Sequence, residues 1–191
     1  MKVAAPTSGR VTNRGRSLLV ALPLMFGALA HAGTDSASTL AEQRAKAVTE
    51  VVLGILSYAR WPVEPEQLRL CLVGPTEYAD DLVKGTTQAS GRPVAVRRLL
   101  ANDPRIVTEC DAMYLGQLSQ DERTQLFSAV TGHPVLSISE ANDPCTVGSV
   151  FCLRVSDQQV AFEVNLDSVA RSGVRIHPSV LQLSRRRAAQ P

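Results

Sequence analysis

Three short apolar runs, LRLCLVG (68–74), CDAMYLG (110–116) and PVLSIS (134–139), are separated by stretches long enough for a helix, and this spacing restricts the fold more than any other feature. Each has the length of a strand and reads as one buried in a sheet. PVAVRRLL (93–100) reads as another strand, while residues 77–87 and 120–130 read as helices. Strand and helix in this alternation predict an α/β fold: a single three-layer domain, with a mostly parallel sheet and helices on both faces. Ahead of the first strand, Val48, Val51, Val52, Ile55, Leu56 and Ala59 recur at helical spacing, predicting a helix over 40–59 that Pro62 stops.

The end of the chain departs from that rhythm. VFCLRV (150–155) and QVAFEV (159–164) flank Ser156, Asp157 and Gln158, the signature of a C-terminal β-hairpin. With a two-residue turn at Asp157 and Gln158, Phe151, Leu153 and Val155 oppose Val164, Phe162 and Val160. Cys152 and Arg154 then oppose Glu163 and Ala161 on the other face. A helix over 166–172, a short VRIH strand (174–177) and a last helix over 178–183 complete the chain.

The first residues predict export. Arg10, Arg14 and Arg16 precede the apolar stretch SLLVALPLMFGALA (17–30), and Ala30-His31-Ala32 offers a small-x-small cleavage site. A leader over 1–32 is therefore expected, then a flexible start over 33–39, a domain over 40–184 and a basic tail over 185–191 with Arg185, Arg186 and Arg187. The apolar stretch is shorter than the roughly 20 residues that span a bilayer and contains Pro23, so no membrane insertion is expected. Four of the 20 basic side chains lie in the leader and all 18 acidic ones beyond it. The exported chain is then slightly acidic, which removes the electrostatic motive for nucleic-acid binding.

In an oxidising compartment the four cysteines predict two disulfides, for which three pairings are possible. Cys145 and Cys152 lie seven positions apart, with Asp143 and Pro144 before them and Gly148 between, a stretch suited to chain reversal. They pair with each other, which leaves Cys71 to pair with Cys110. Zinc is the rival use of four cysteines, but no CxxC is present and only His133 and His177 follow the leader. The missing CxxC also argues against a thiol oxidoreductase. G-x-S-x-G, the phosphate-binding G-x-x-x-x-G-K-[ST] and H-E-x-x-H are absent too, and neither a metal nor a cofactor is expected. His133 precedes Pro134 and reads as a loop residue, while Asp80 with Asp81 and Asp121 with Glu122 read as solvated helix faces.

The Trp-Pro after the first helix, CLVG in the first strand, CDAMYLG, PVLSISE, FEVN (162–165) and GVRIHPSVLQL (173–183) together resemble the YfiR family of periplasmic proteins over roughly the whole exported chain. One departure is SISEANDPC, where many relatives carry an aspartate and a glycine-containing turn. The resemblance implies a regulator rather than an enzyme. Such a protein binds the periplasmic sensor domain of an inner-membrane diguanylate cyclase, YfiN, and holds it inactive. An OmpA-like outer-membrane lipoprotein, YfiB, relieves the repression by capturing the regulator, and cyclic di-GMP output and biofilm matrix production rise. A homodimer is a further candidate assembly.

Phe151 beside the small disulfide loop is a candidate partner anchor, with Glu163 on the neighbouring strand and Val169 in the helix after FEVN as companions. Arg60 and Trp61, at the end of the first helix, form a second candidate contact. Arg175 and His177 lie two apart on a predicted strand and share a side, offering donors to a small anion or carboxylate. That pair frames an alternative function, a periplasmic small-molecule sensor or solute-binding protein. Relief of repression by a redox change at the Cys145 to Cys152 loop is also expected.

Overall fold

The apolar stripe of the first helix forms one wall of the larger half of the core. In a computed structural model, which describes residues 32–140, 145, 148–157 and 159–183, helix α1 (Ala32–Tyr58) buries Val48, Val51, Val52, Ile55 and Leu56. It begins well before residue 40 and takes in residues 33–39. Apolar periodicity reports only the turns that pack, and helical turns beyond the packed face leave no such signal. Residues 1–31 of the expected leader, the basic tail, Asp143, Pro144, Thr146, Val147 and Gln158 lie outside the described residues.

After β1 (Ala59–Arg60), the chain continues through β2 (Leu68–Val73), α2 (Asp80–Val83), β3 (Thr86–Thr87), β4 (Pro93–Leu99), α3 (Arg105–Glu109) and β5 (Ala112–Leu115). Then follow α4 (Gln120–Val130), β6 (Leu136–Ser139), β7 (Phe151–Val155), β8 (Val160–Val164), α5 (Leu166–Arg171) and β9 (Arg175–Ile176). A 3-10 turn, Pro178–Val180, comes last, leading into helical residues 181–183. The seven-stranded sheet has the order β3-β4-β2-β5-β6-β7-β8. Its central strands are parallel, and β3 and β8 are antiparallel edges. The helix expected over 77–87 is cut to α2, because Gly85 turns the chain and the β-branched pair Thr86 and Thr87 joins the sheet instead.

Side-chain alternation divides the core into the predicted layers. Leu68, Leu70 and Leu72 of β2, with Leu136 and Ile138 of β6, pack with the α1 stripe. Cys71 and Val73 point the other way, with Met113 and Leu115 of β5, against Ile106 of α3 and Leu126 and Val130 of α4. The hairpin register is the expected one: Phe151 opposes Val164, Cys152 opposes Glu163, and Leu153 opposes Phe162. Two disulfides, Cys71 to Cys110 and Cys145 to Cys152, join the pairs that loop length favours, with Cα atoms 5.8 and 5.7 Å apart. Helix α4 starts on a capping box, in which Ser119 Oγ accepts from the Glu122 amide and the Glu122 carboxylate accepts from the Ser119 amide.

Candidate interaction surface

Phe151, Glu163 and Val169 do not form one patch. Phe151 is 0% exposed and meets Phe162 edge-on, with ring centroids 5.5 Å apart. The pairing that sets Cys152 against Glu163 sends Phe151 to the opposite side of the sheet, so the ring is core rather than a surface anchor. Glu163 is exposed and accepts from Arg154 Nε at 3.0 Å and Nη2 at 2.8 Å, across β7 and β8. Val169, on α5, is half-buried against the α1-side core. Asn165 caps α5 by accepting from the Ser168 amide, and its Nδ2 donates to Cys145 O at 3.3 Å, tying the small disulfide loop to this helix.

Arg60 and Trp61 also part company. Trp61 is 3% exposed and its indole donates to Asp111 O at 2.9 Å, which makes it a packing residue instead of an exposed contact. Arg60 stays at the surface, where Nη1 donates to Ser57 O and Ala59 O at the end of α1. The antiparallel ribbon of β1 and β9 sets Arg60 directly opposite Arg175. One step along, Tyr58 and His177 stack with ring centroids 6.2 Å apart. The structure thus brings exposed Arg60, Arg175 and His177 together at this ribbon, with Tyr58 half-buried against the α1-side core and Ala59 of β1 buried. Two like charges set opposite each other are unfavourable unless an anion or solvent separates them.

Asp111, Tyr114 and Glu140 are buried polar groups whose partners lie far away in the sequence. Arg69 grips Asp111 in a two-pronged ion pair, with Nε to Oδ2 at 3.0 Å and Nη2 to Oδ1 at 2.7 Å, where β2 runs beside β5. Glu140, just after β6, accepts from the Glu77 amide at 2.6 Å, the Tyr78 amide at 3.2 Å and the Tyr114 hydroxyl at 2.8 Å. Burial pushes its carboxyl above the usual range, against those hydrogen bonds. Burial and the neighbouring Glu140 charge also push the Tyr114 hydroxyl up.

These contacts bear on the sheet's switch point. Between β2 and β5 the strand order reverses, the position where open parallel sheets hold ligands beyond their carboxyl ends. Here the segments that follow β2 and β5 meet directly. Gly116 N donates to Val73 O and Gln117 N to Pro75 O, and a Cβ on Gly116 would lie 1.8 Å from Pro75 O.

The description YfiR/HmsC-like belongs to a family whose sequence model matches residues 45–185. The chain belongs to the YfiR/HmsC-like family. The match begins within α1 and takes in every strand of both sheets. This family is regulatory rather than catalytic and acts in the periplasmic control of diguanylate cyclase signalling. The two disulfides fit an oxidising compartment. Among the described residues no helix is long and apolar enough to cross a membrane.

Proposed function

We propose that this protein represses an inner-membrane diguanylate cyclase of the YfiN type by binding its periplasmic sensor domain, and that an OmpA-like lipoprotein of the YfiB type relieves the repression by capturing it. The observation that carries this reading is the family match across residues 45–185. The face around β7, β8 and α5 supports it locally. There Arg154 and Glu163 form an exposed ion pair across β7 and β8, and Leu166, at the start of α5, is among the exposed large apolar residues. Charges at such a rim set register, and apolar neighbours supply contact area. The reading includes removal of residues 1–32 as a leader, and a homodimer as a resting assembly.

The test is titration of the exported protein against the purified cyclase sensor domain, using wild type, Glu163→Lys and Leu166→Asp. Both variants should bind more weakly while keeping wild-type circular dichroism. Equal binding by all three proteins would remove this face from the interface. No binding by the wild type would remove the proposed partner.

A second reading is favoured by one observation, the facing arginines of the β1 and β9 ribbon beside the Tyr58 and His177 stack. This face suits a small anion or carboxylate held by Arg60, Arg175 and His177, as in a periplasmic small-molecule sensor. Arg175→Gln should then abolish ligand binding while sparing the cyclase complex, which separates the two readings.

A further inference from the structure

We propose that the outer edge of β4, beyond the end of β3, takes up an extended acidic segment of another protein as an additional antiparallel strand. This edge lies at the other end of the sheet from β8, and the proposal does not depend on cyclase binding.

The edge is left open because β3 is short. On one side β4 pairs with β2 from Val94 to Leu99, whereas on the other β3 reaches only Pro93 and Val94. Among the described residues β3 ends the sheet on this side, and no further strand pairs with β4. The direction of the backbone groups follows from one hydrogen bond. Gln88 N donates to Arg92 O at 2.9 Å, so the Arg92 carbonyl faces β3. Alternation along a strand then sends the N–H and C=O of Val94, Val96 and Arg98 the same way. The register against β2 is unbroken from Val94 to Leu99, so no bulge disturbs that alternation. Val94 meets Thr86 there. Val96 and Arg98 have no strand opposite, and their N–H and C=O groups stand where strand addition uses them.

The side chains decide what can pair. In a two-fold antiparallel pair of β4 strands, outward groups must meet outward groups. Val96 set opposite Arg98 of a second copy brings Arg97 opposite its own counterpart, and Arg98 set opposite Arg98 does the same for that residue. Like charges directly opposite destabilise a pair. Val96 set opposite Val96 would place Arg98 against Val94, which β3 already holds. A second copy is therefore disfavoured, and the occupant is a chain of different composition. Arg97 is already paired with Glu109, whereas exposed Arg98 donates to the neutral Thr76 hydroxyl at 3.0 Å. A carboxylate opposite Arg98 supplies the missing cross-strand ion pair. Val96 is half-buried against the α1-side core, and an apolar residue opposite it extends that core. The segment thus reads acidic, any residue, apolar from its N-terminal end.

The test titrates the exported full chain with the blocked peptide acetyl-Thr-Thr-Glu-Thr-Val-Thr-amide, which sets its Glu opposite Arg98 and its Val opposite Val96. Amide chemical shifts and hydrogen exchange are followed together. Saturable shifts and slowed exchange are expected at Val96 and Arg98, with a peptide carrying Lys in place of Glu roughly tenfold weaker. Arg98→Glu should reverse that preference while keeping wild-type circular dichroism. Methylating the backbone nitrogen of the peptide's Val, which faces β4, should abolish binding, and methylating that of the Thr before it, which faces away, should not. No saturable shift at about 10 mM peptide, ten times a millimolar Kd, would overturn the proposal. So would equal binding of the Glu and Lys peptides, the opposite response to the two methylations, or shifts at Val96 and Arg98 that track protein concentration without peptide, which mark self-pairing.

Discussion

Phe151 lies in the α1-side core with its ring edge-on to Phe162, so truncation to Ala removes an aromatic contact and leaves a void. Such a change costs about 3 to 5 kcal/mol in a core of this kind, measured as loss of unfolding free energy in urea. A melting temperature unchanged in Phe151→Ala would contradict that placement. Glu140 supplies a prediction of opposite character. Its folded carboxyl titrates above the ordinary value of 4.5, chiefly through burial, with Glu77, Tyr78 and Tyr114 around it. The native state therefore holds this proton more tightly than the unfolded chain does. The resulting stability is present at low pH and is lost as pH rises from the ordinary value through the raised one. Glu140→Gln carries no charge and lacks this slope. Unfolding free energies across a pH series should show wild type gaining on Glu140→Gln as pH falls through that interval. A gain on raising the pH would mean that the backbone and tyrosine hydrogen bonds outweigh burial.

At the scale of elements, the β7 and β8 hairpin was legible in the sequence because period-two alternation fixes both faces once the turn is placed. The α1 stripe was legible for the analogous helical reason. Phe151 as a surface anchor was misread because closeness to a disulfide says nothing about which side of the sheet a residue takes, whereas the register does. The partners of Glu140 and Asp111 were not legible, since each depends on groups far apart in the chain that only the packed sheet brings together. The two disulfides differ in access: Cys71 and Cys110 are both buried, whereas Cys145 is half-buried and its partner Cys152 is buried. Thiol exchange needs an approach to a sulfur. Under mild reductant without denaturant, differential alkylation and mass spectrometry should find Cys145 and Cys152 free well before Cys71 and Cys110. Release in the reverse order, or together, would refute the access argument.

For the whole molecule the two bridges are expected to divide stability from recognition. Cys71 and Cys110 close a loop with a sequence separation of 39, which holds α2, β3, β4 and α3. Chain entropy assigns such a loop about 4 kcal/mol, against about 2.5 kcal/mol for the loop closed by Cys145 and Cys152, within a typical domain stability of about 5 to 15 kcal/mol. The larger bridge lies in the α4-side core, away from the β7, β8 and α5 face. The smaller one begins at Cys145, which Asn165 ties to the start of α5, and ends at Cys152, opposite Glu163. Replacing Cys71 and Cys110 by Ser should therefore lower the urea midpoint strongly while leaving affinity for the cyclase sensor domain intact at temperatures where the variant stays folded. Replacing Cys145 and Cys152 by Ser should do the converse, with a modest loss of stability and weaker binding, because the surface around Glu163 and Val169 loses its fixed shape and must be ordered on docking. Reductant added to the wild type should reproduce the second variant, which would make repression sensitive to periplasmic oxidation. Urea titration, calorimetric binding and circular dichroism on the same preparations separate the effects. Unchanged affinity after verified opening of the small bridge would leave it as reinforcement of the fold and remove redox from the account of this regulator.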